Sequence, residues 1–118
     1  HERFGRLDIL VGNAGVLGTL SPVGHFEPKV FEEVMAVNVT ANWRLIRSMD
    51  PLLRRSDAGR AIFVTSGASR KILPYWGAYA ASKAALDMLV GVWAAEVAHT
   101  AVRVNLFNPG PTRTAMRR

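Results

Sequence analysis

Cysteine is missing altogether from the 118 residues, which excludes a disulfide scaffold and any thiolate metal site and agrees with a cytoplasmic location. Histidine occurs three times, at His1, His25 and His99, too scattered to share an ion, so no metal site is expected. No apolar run approaches the roughly 20 residues that a bilayer crossing needs. The first residues, His1 to Arg6, also lack the apolar stretch of a signal peptide. A soluble protein with no membrane partner is therefore expected. Lysine is scarce as well: the net charge of +6 rests on twelve arginines and only Lys29, Lys71 and Lys83 against nine acids. The basic residues fall in short pairs, Arg54-Arg55, Arg70-Lys71 and Arg117-Arg118, with no aromatic residues interleaved to stack bases. Such pairs read as solvated faces, and nucleic acid is not expected as a partner.

What the chain does have is apolar content, 49% hydrophobic residues, enough to bury a core. Leu7 to Val11 is a short β-branched run stopped by Gly12-Asn13-Ala14-Gly15, the pattern of a buried strand ending in a tight turn. Pro28 suits a first helical position, and Phe31, Val34, Met35, Leu45, Ile46, Met49 and Leu53 then recur at helical spacing from Lys29 to about Leu53, with Pro51 disturbing the last turn. Ala61 to Thr65 reads as a second buried strand, and Val102 to Phe107 as a third, stopped by Asn108-Pro109-Gly110-Pro111.

Between them, Trp76 to about His99 reads as a long helix with apolar residues all round its axis. Ala81, Ala85, Leu89 and Val92 are expected to cover the sheet. Val90, Trp93, Ala94 and Val97 are expected on a second surface that a subunit partner covers, making the protein a homodimer or homotetramer.

Strands alternating with helices, and apolar throughout, indicate an α/β fold with a parallel sheet covered on both faces. In an open doubly wound sheet the ligand lies beyond the carboxyl ends of the strands. The turns after Val11, Thr65 and Phe107 are therefore expected on one functional rim.

Chemistry enters at Tyr79-Ala80-Ala81-Ser82-Lys83, which sets a phenol and an ammonium at i and i+4, on one helix face. A nearby cation favours phenolate, bringing the tyrosine from roughly 10 toward a working pH at which it exchanges a proton with a reacting oxygen. Taken alone, a Tyr and a Lys so spaced are usually just neighbours.

Other motifs join the pair in order: Asn13-Ala14-Gly15 after the first strand, Asn38 in the first long helix, Ser66 after the second strand, then Pro109-Gly110 with Thr112 and Thr114. Together they resemble the short-chain dehydrogenase/reductase family over essentially the whole chain, and especially a bacterial branch of unassigned substrate. The resemblance implies a Rossmann-like doubly wound fold and hydride transfer between NAD or NADP and a small carbonyl or alcohol substrate. Within it, Tyr79 is the acid and base, Lys83 lowers its pKa and bonds the nicotinamide ribose, and Ser66 donates to the substrate oxygen, ahead of Thr65 and Ser69. Asn38 helps to hold a water that links Lys83 to solvent. Asn13, Ala14 and Gly15 approach the cofactor riboses, although Gly12 replaces the first asparagine usual in the family. Pro109, Gly110, Thr112 and Thr114 close over the nicotinamide.

The family's glycine-rich pyrophosphate loop has no counterpart, since Gly12, Gly15 and Gly18 are not followed directly by an apolar helix. Residues 1–118 are therefore expected to form one partial catalytic domain, without the first three strands and the C-terminal end of the family fold, and inactive alone. A non-catalytic, dinucleotide-binding or regulatory relative is the alternative, which the intact Ser66, Tyr79 and Lys83 disfavour.

Overall fold

The computed structural model describes residues 6–12, 15–65 and 72–107. Three strands, β1 (Ile9–Gly12), β2 (Arg60–Val64) and β3 (Arg103–Phe107), form one sheet in the order β1-β2-β3. Both pairings are parallel, with Leu10 opposite Ala61 and Ala61 opposite Val104. Helices α1 (Pro28–Met35) and α2 (Ala41–Arg54) join β1 to β2, and α3 (Gly77–Glu96) joins β2 to β3. Pro28 occupies the first turn of α1, where its missing N–H costs nothing. Pro51 lies within α2 without ending it; the helix runs on to Arg54. No helix among the described residues is long and apolar enough to cross a membrane.

Parallel neighbours need crossover connections, and these take one hand almost without exception. Because strand order follows chain order, both crossovers bring their helices to the same face of the sheet. Leu10, Ala61 and Phe63 are buried there with Ile46, Leu53, Leu86, Val90, Trp93, Val97 and Val102. Phe63 fits only because Gly12, its neighbour across the ladder, has no side chain; a Cβ at Gly12 would overlap the Phe63 ring. Ile9, Val11 and Ile62 point the other way and are exposed. Among the described residues both helical layers stand on one side of the sheet, so burial alternates along β1 and β2.

The reading of α3 is corrected. Its sheet-facing stripe is Ala78, Ser82, Leu86, Val90 and Trp93, the spacing of one helix face, and continues to Val97. Trp93 is 5% exposed, packs edge-on against Phe63 with ring centroids 6.2 Å apart, and donates its indole N–H to Asp50 at 2.9 Å. The surface turned outward carries Met88, 69% exposed, with Leu89 and Val92. Trp93 and Val90 therefore belong to the core, and Leu89 and Val92 to the outer face, the reverse of the expected assignment.

Candidate active site

In a parallel sheet the carboxyl ends of all strands share one edge. Gly12 pairs with Phe63 and Val64 with Phe107, and the Thr65 amide extends the ladder to the Phe107 carbonyl at 2.8 Å. Gly15, Thr65 and the first turns of α3 meet at this rim.

Between α1 and α2 the helix widens into one π turn, Ala36–Thr40. Such a turn inserts an extra residue and re-aims the side chains around it, and π turns recur at functional sites. Here it carries Asn38, which is completely buried. The Asn38 amide nitrogen donates to the Val16 carbonyl and the Ser82 hydroxyl, both at 2.9 Å, and its oxygen accepts from the Val16 N–H at 2.6 Å. Ser82 in turn donates to the Tyr79 carbonyl at 2.7 Å, and the Asn42 amide donates to the Asn38 carbonyl at 2.9 Å. One side chain thus ties the segment after β1 to the turn of α3 that carries Tyr79.

Asn38→Ala would leave the Val16 groups and Ser82 without these partners. Each buried polar group left unmet costs about 1–3 kcal/mol, so a loss of roughly 3 kcal/mol is expected in urea denaturation of the full-length protein. A change below about 0.5 kcal/mol would show that the tie contributes nothing to stability.

Lys83 follows Tyr79 by one turn and is almost fully buried, its Nζ reaching the Val64 carbonyl at 3.4 Å. Burial holds its ammonium below the usual lysine range, opposed by the charge of Asp87. Asp87 lies a further turn along the same face and accepts the Thr65 hydroxyl at 2.7 Å on each carboxylate oxygen. Thr65 is thereby committed to α3. Tyr79 is half-buried, its ring edge-on to Trp76 with centroids 5.9 Å apart.

Gly15 faces this group: a Cβ there would come to 3.4 Å from the Asn38 side-chain oxygen and 3.8 Å from Lys83 Nζ. The space beside a glycine and a buried ammonium, which keeps donors to spare among the described residues, fits a ribose hydroxyl of a dinucleotide. The described residues include no cluster of three metal-ligating side chains.

Of the residues expected at the site, the structure brings Gly15, Asn38, Tyr79 and Lys83 to one rim. Asn13, Ala14, Ser66, Pro109, Gly110, Thr112 and Thr114 lie outside the described residues. The sequence pattern did not single out Asp87, Ser82 or Asn42. Asp87 was within reach, because Tyr79, Lys83 and Asp87 continue one i, i+4 series.

Residues 1–118 match the family model for short chain dehydrogenases. The chain is 46% identical to the uncharacterized oxidoreductase YciK of Escherichia coli K12 over 97% of its own length and 45% of that protein's. It is 40% identical to an uncharacterized NAD-dependent oxidoreductase of Mycobacterium tuberculosis H37Rv, over 98% of this chain and 42% of that one.

Among solved structures, a short chain dehydrogenase from Salmonella enterica serovar Typhi superposes with a TM-score of 0.88 at 43% identity, covering 98% of this chain and 47% of its own. An Escherichia coli CFT073 protein solved in complex with NADPH superposes with a TM-score of 0.85 at 46% identity, covering 96% of this chain and 47% of its own. The chain belongs to the short-chain dehydrogenase family and has its Rossmann-like α/β fold. It spans less than half the length of these relatives.

Proposed function

We propose that the full-length protein is an oxidoreductase that moves a hydride between a nicotinamide dinucleotide, NAD or NADP, and a small carbonyl or alcohol, with Tyr79 as acid and base. The observation that carries this reading is Lys83: an ammonium drawn into the rim of the sheet, its charge made costly by burial, one helical turn from a tyrosine. A relative named as NAD-dependent and a similar structure holding NADPH support the cofactor class.

When bound, the nicotinamide supplies the hydride in reduction and takes it up in oxidation. In reduction the Tyr79 phenol would deliver its proton to the substrate oxygen as the carbonyl π pair moves there. Tyr79 is left as phenolate, which the Lys83 ammonium stabilises. Ser66 donates a hydrogen bond to the same oxygen as negative charge develops on it. Lys83 would also bond the ribose hydroxyls, Asn13, Ala14 and Gly15 would flank the riboses, and Pro109, Gly110, Thr112 and Thr114 would hold the carboxamide. Asn38 orders the path by which a water returns the proton to Lys83. Residues 1–118 by themselves are inactive on this reading.

The outer face of α3, with Met88, Leu89 and Val92, is assigned to a contact between copies in a cytoplasmic homodimer or homotetramer. The fate of the cofactor's hydride, followed by isotope label into the product alcohol, tests the reading.

A further inference from the structure

Helix α3 is nearly free of charge: Lys83, Asp87 and the terminal Glu96 are its only charged residues, set among small and apolar ones. Asp87 follows Lys83 by four positions, the weaker of the two orders for supporting a helix, and aspartate is a poor residue for a helix interior. Helix stability thus gives no reason for Asp87.

Its tertiary contacts do. The buried Thr65 hydroxyl lies 2.7 Å from each Asp87 carboxylate oxygen, while the Thr65 N–H donates to the Phe107 carbonyl. One residue earlier, the Val64 carbonyl accepts from Lys83 Nζ at 3.4 Å. Two consecutive residues at the carboxyl end of β2 are therefore gripped by two consecutive turns of α3, one through the ammonium and one through the carboxylate.

A neutral amide at position 87 could accept the Thr65 hydroxyl equally well, so what a carboxylate adds there is its charge. Lys83 has a use for it. The side chain is buried, it makes no ion pair among the described residues, and its hydrogen bond goes to a neutral carbonyl. A charge so placed is costly unless another opposes it, and the Asp87 charge works against the burial that lowers this lysine. The π turn has no titratable side chain, and Arg60 and Arg103 open β2 and β3 at the opposite edge of the sheet. No charged group of α1 or α2, Glu32, Glu33 and Asp50 included, enters the balance at Lys83. Tyr79, one turn before Lys83, is the other titratable group on this side of α3.

We infer that Asp87 is a positioning residue, its carboxylate, held by the Thr65 hydroxyl, serving as the counter-charge of the Lys83 ammonium. The inference rests on the proposed function only for what Lys83 then does, which is to bond a dinucleotide ribose and steady a Tyr79 phenolate.

The test uses the full-length protein with lysine isotopically labelled at Cε. The Lys83 resonance, identified by its loss in Lys83→Arg, is followed by NMR through a pH titration without cofactor. Asp87→Asn keeps an acceptor for Thr65 and removes the charge, so Lys83 should lose its proton at lower pH than in wild type. Asp87→Glu keeps the charge and should titrate like wild type. A merely structural Asp87 gives the opposite sign, because a loosened helix admits water to the ammonium and moves its titration up.

Calorimetric binding of NADH and NADPH across the same pH range is the second readout. Affinity should weaken as Lys83 loses its proton, since a charge-assisted hydrogen bond to the ribose becomes a neutral one of about half the strength. In Asp87→Asn the weakening should begin at lower pH. Affinity on the acid side should stay within about twofold of wild type, and it should be at least about threefold weaker where only the wild-type lysine is still charged.

An unchanged or raised Lys83 titration in folded Asp87→Asn overturns the inference alone, as does Asp87→Glu titrating like Asp87→Asn. If Asp87→Asn melts too low to titrate, Asp87→Gln set against Asp87→Glu makes the same comparison one methylene longer. Binding of neither dinucleotide at any pH, or an affinity indifferent to Lys83→Met, overturns the proposed function instead, and the Lys83 resonance still decides the part of Asp87.

Discussion

Tyr79→Phe in the full-length protein is expected to lower turnover by at least about 10²-fold, the usual effect of losing a positioned acid-base group, while dinucleotide affinity stays within a few-fold of wild type. The substitution removes one oxygen and leaves the ring that stacks edge-on against Trp76 at 5.9 Å, so α3 and its tie to Asn38 through Ser82 persist. The contribution lost is the proton that the alkoxide must receive as the hydride arrives. Steady-state kinetics with a calorimetric titration of the cofactor separate chemistry from binding. Near-normal turnover would remove Tyr79 from the mechanism. An equal loss of turnover and cofactor affinity would make the hydroxyl a structural or binding group.

A second large effect is expected at Trp93. Trp93→Glu removes an aromatic side chain packed on Phe63 and hydrogen-bonded to Asp50, and sets a carboxylate beside that acid in a nearly closed core. Losing a buried aromatic costs about 3–5 kcal/mol, and an unpaired buried charge adds to it, so destabilisation of at least about 4 kcal/mol is expected in urea denaturation. Met88→Glu lies on the outward face of the same helix and should change the stability of the isolated subunit by no more than about 0.5 kcal/mol. In sedimentation it should dissociate the oligomer. A folded Trp93→Glu protein of normal stability would return Trp93 to the outer surface. An undisturbed oligomer in Met88→Glu would move the subunit contact elsewhere.

Trp93 also marks where sequence patterning stops being informative. An amphipathic helix announces its buried face through the period of its apolar residues, and Val34, Ile46 and Leu53 on α1 and α2 are buried as that period indicates. A helix apolar on every side has no such asymmetry, so the face that meets the sheet is decided by packing: the Trp93 ring stands edge-on to Phe63, whose own ring occupies the space that Gly12 leaves open. The strands were legible within a residue or two because apolar runs ended in glycine turns or in Pro109. The strand order β1-β2-β3 was not, since strand order is absent from local pattern.

At the site, the common helix face of Tyr79 and Lys83 follows from their i, i+4 spacing, while the roles proposed for them came only with the other motifs in order. Asn38 was found as a motif residue. Its bonds to Val16 and Ser82 depend on a π turn, which leaves no mark on composition because the extra residue is accommodated by tertiary contacts.

On the proposed function, hydride passes directly between the nicotinamide and the substrate carbon while the proton comes through Tyr79. The most direct measurement uses the full-length protein, a carbonyl substrate and reduced cofactor deuterated on the transferring face of the nicotinamide ring, with the product alcohol examined by mass spectrometry and NMR. One deuterium is expected on the carbinol carbon. In the converse experiment, with unlabelled cofactor in D₂O, none is expected on that carbon. Solvent deuterium on the carbinol carbon, or loss of the cofactor's label to water, would contradict it.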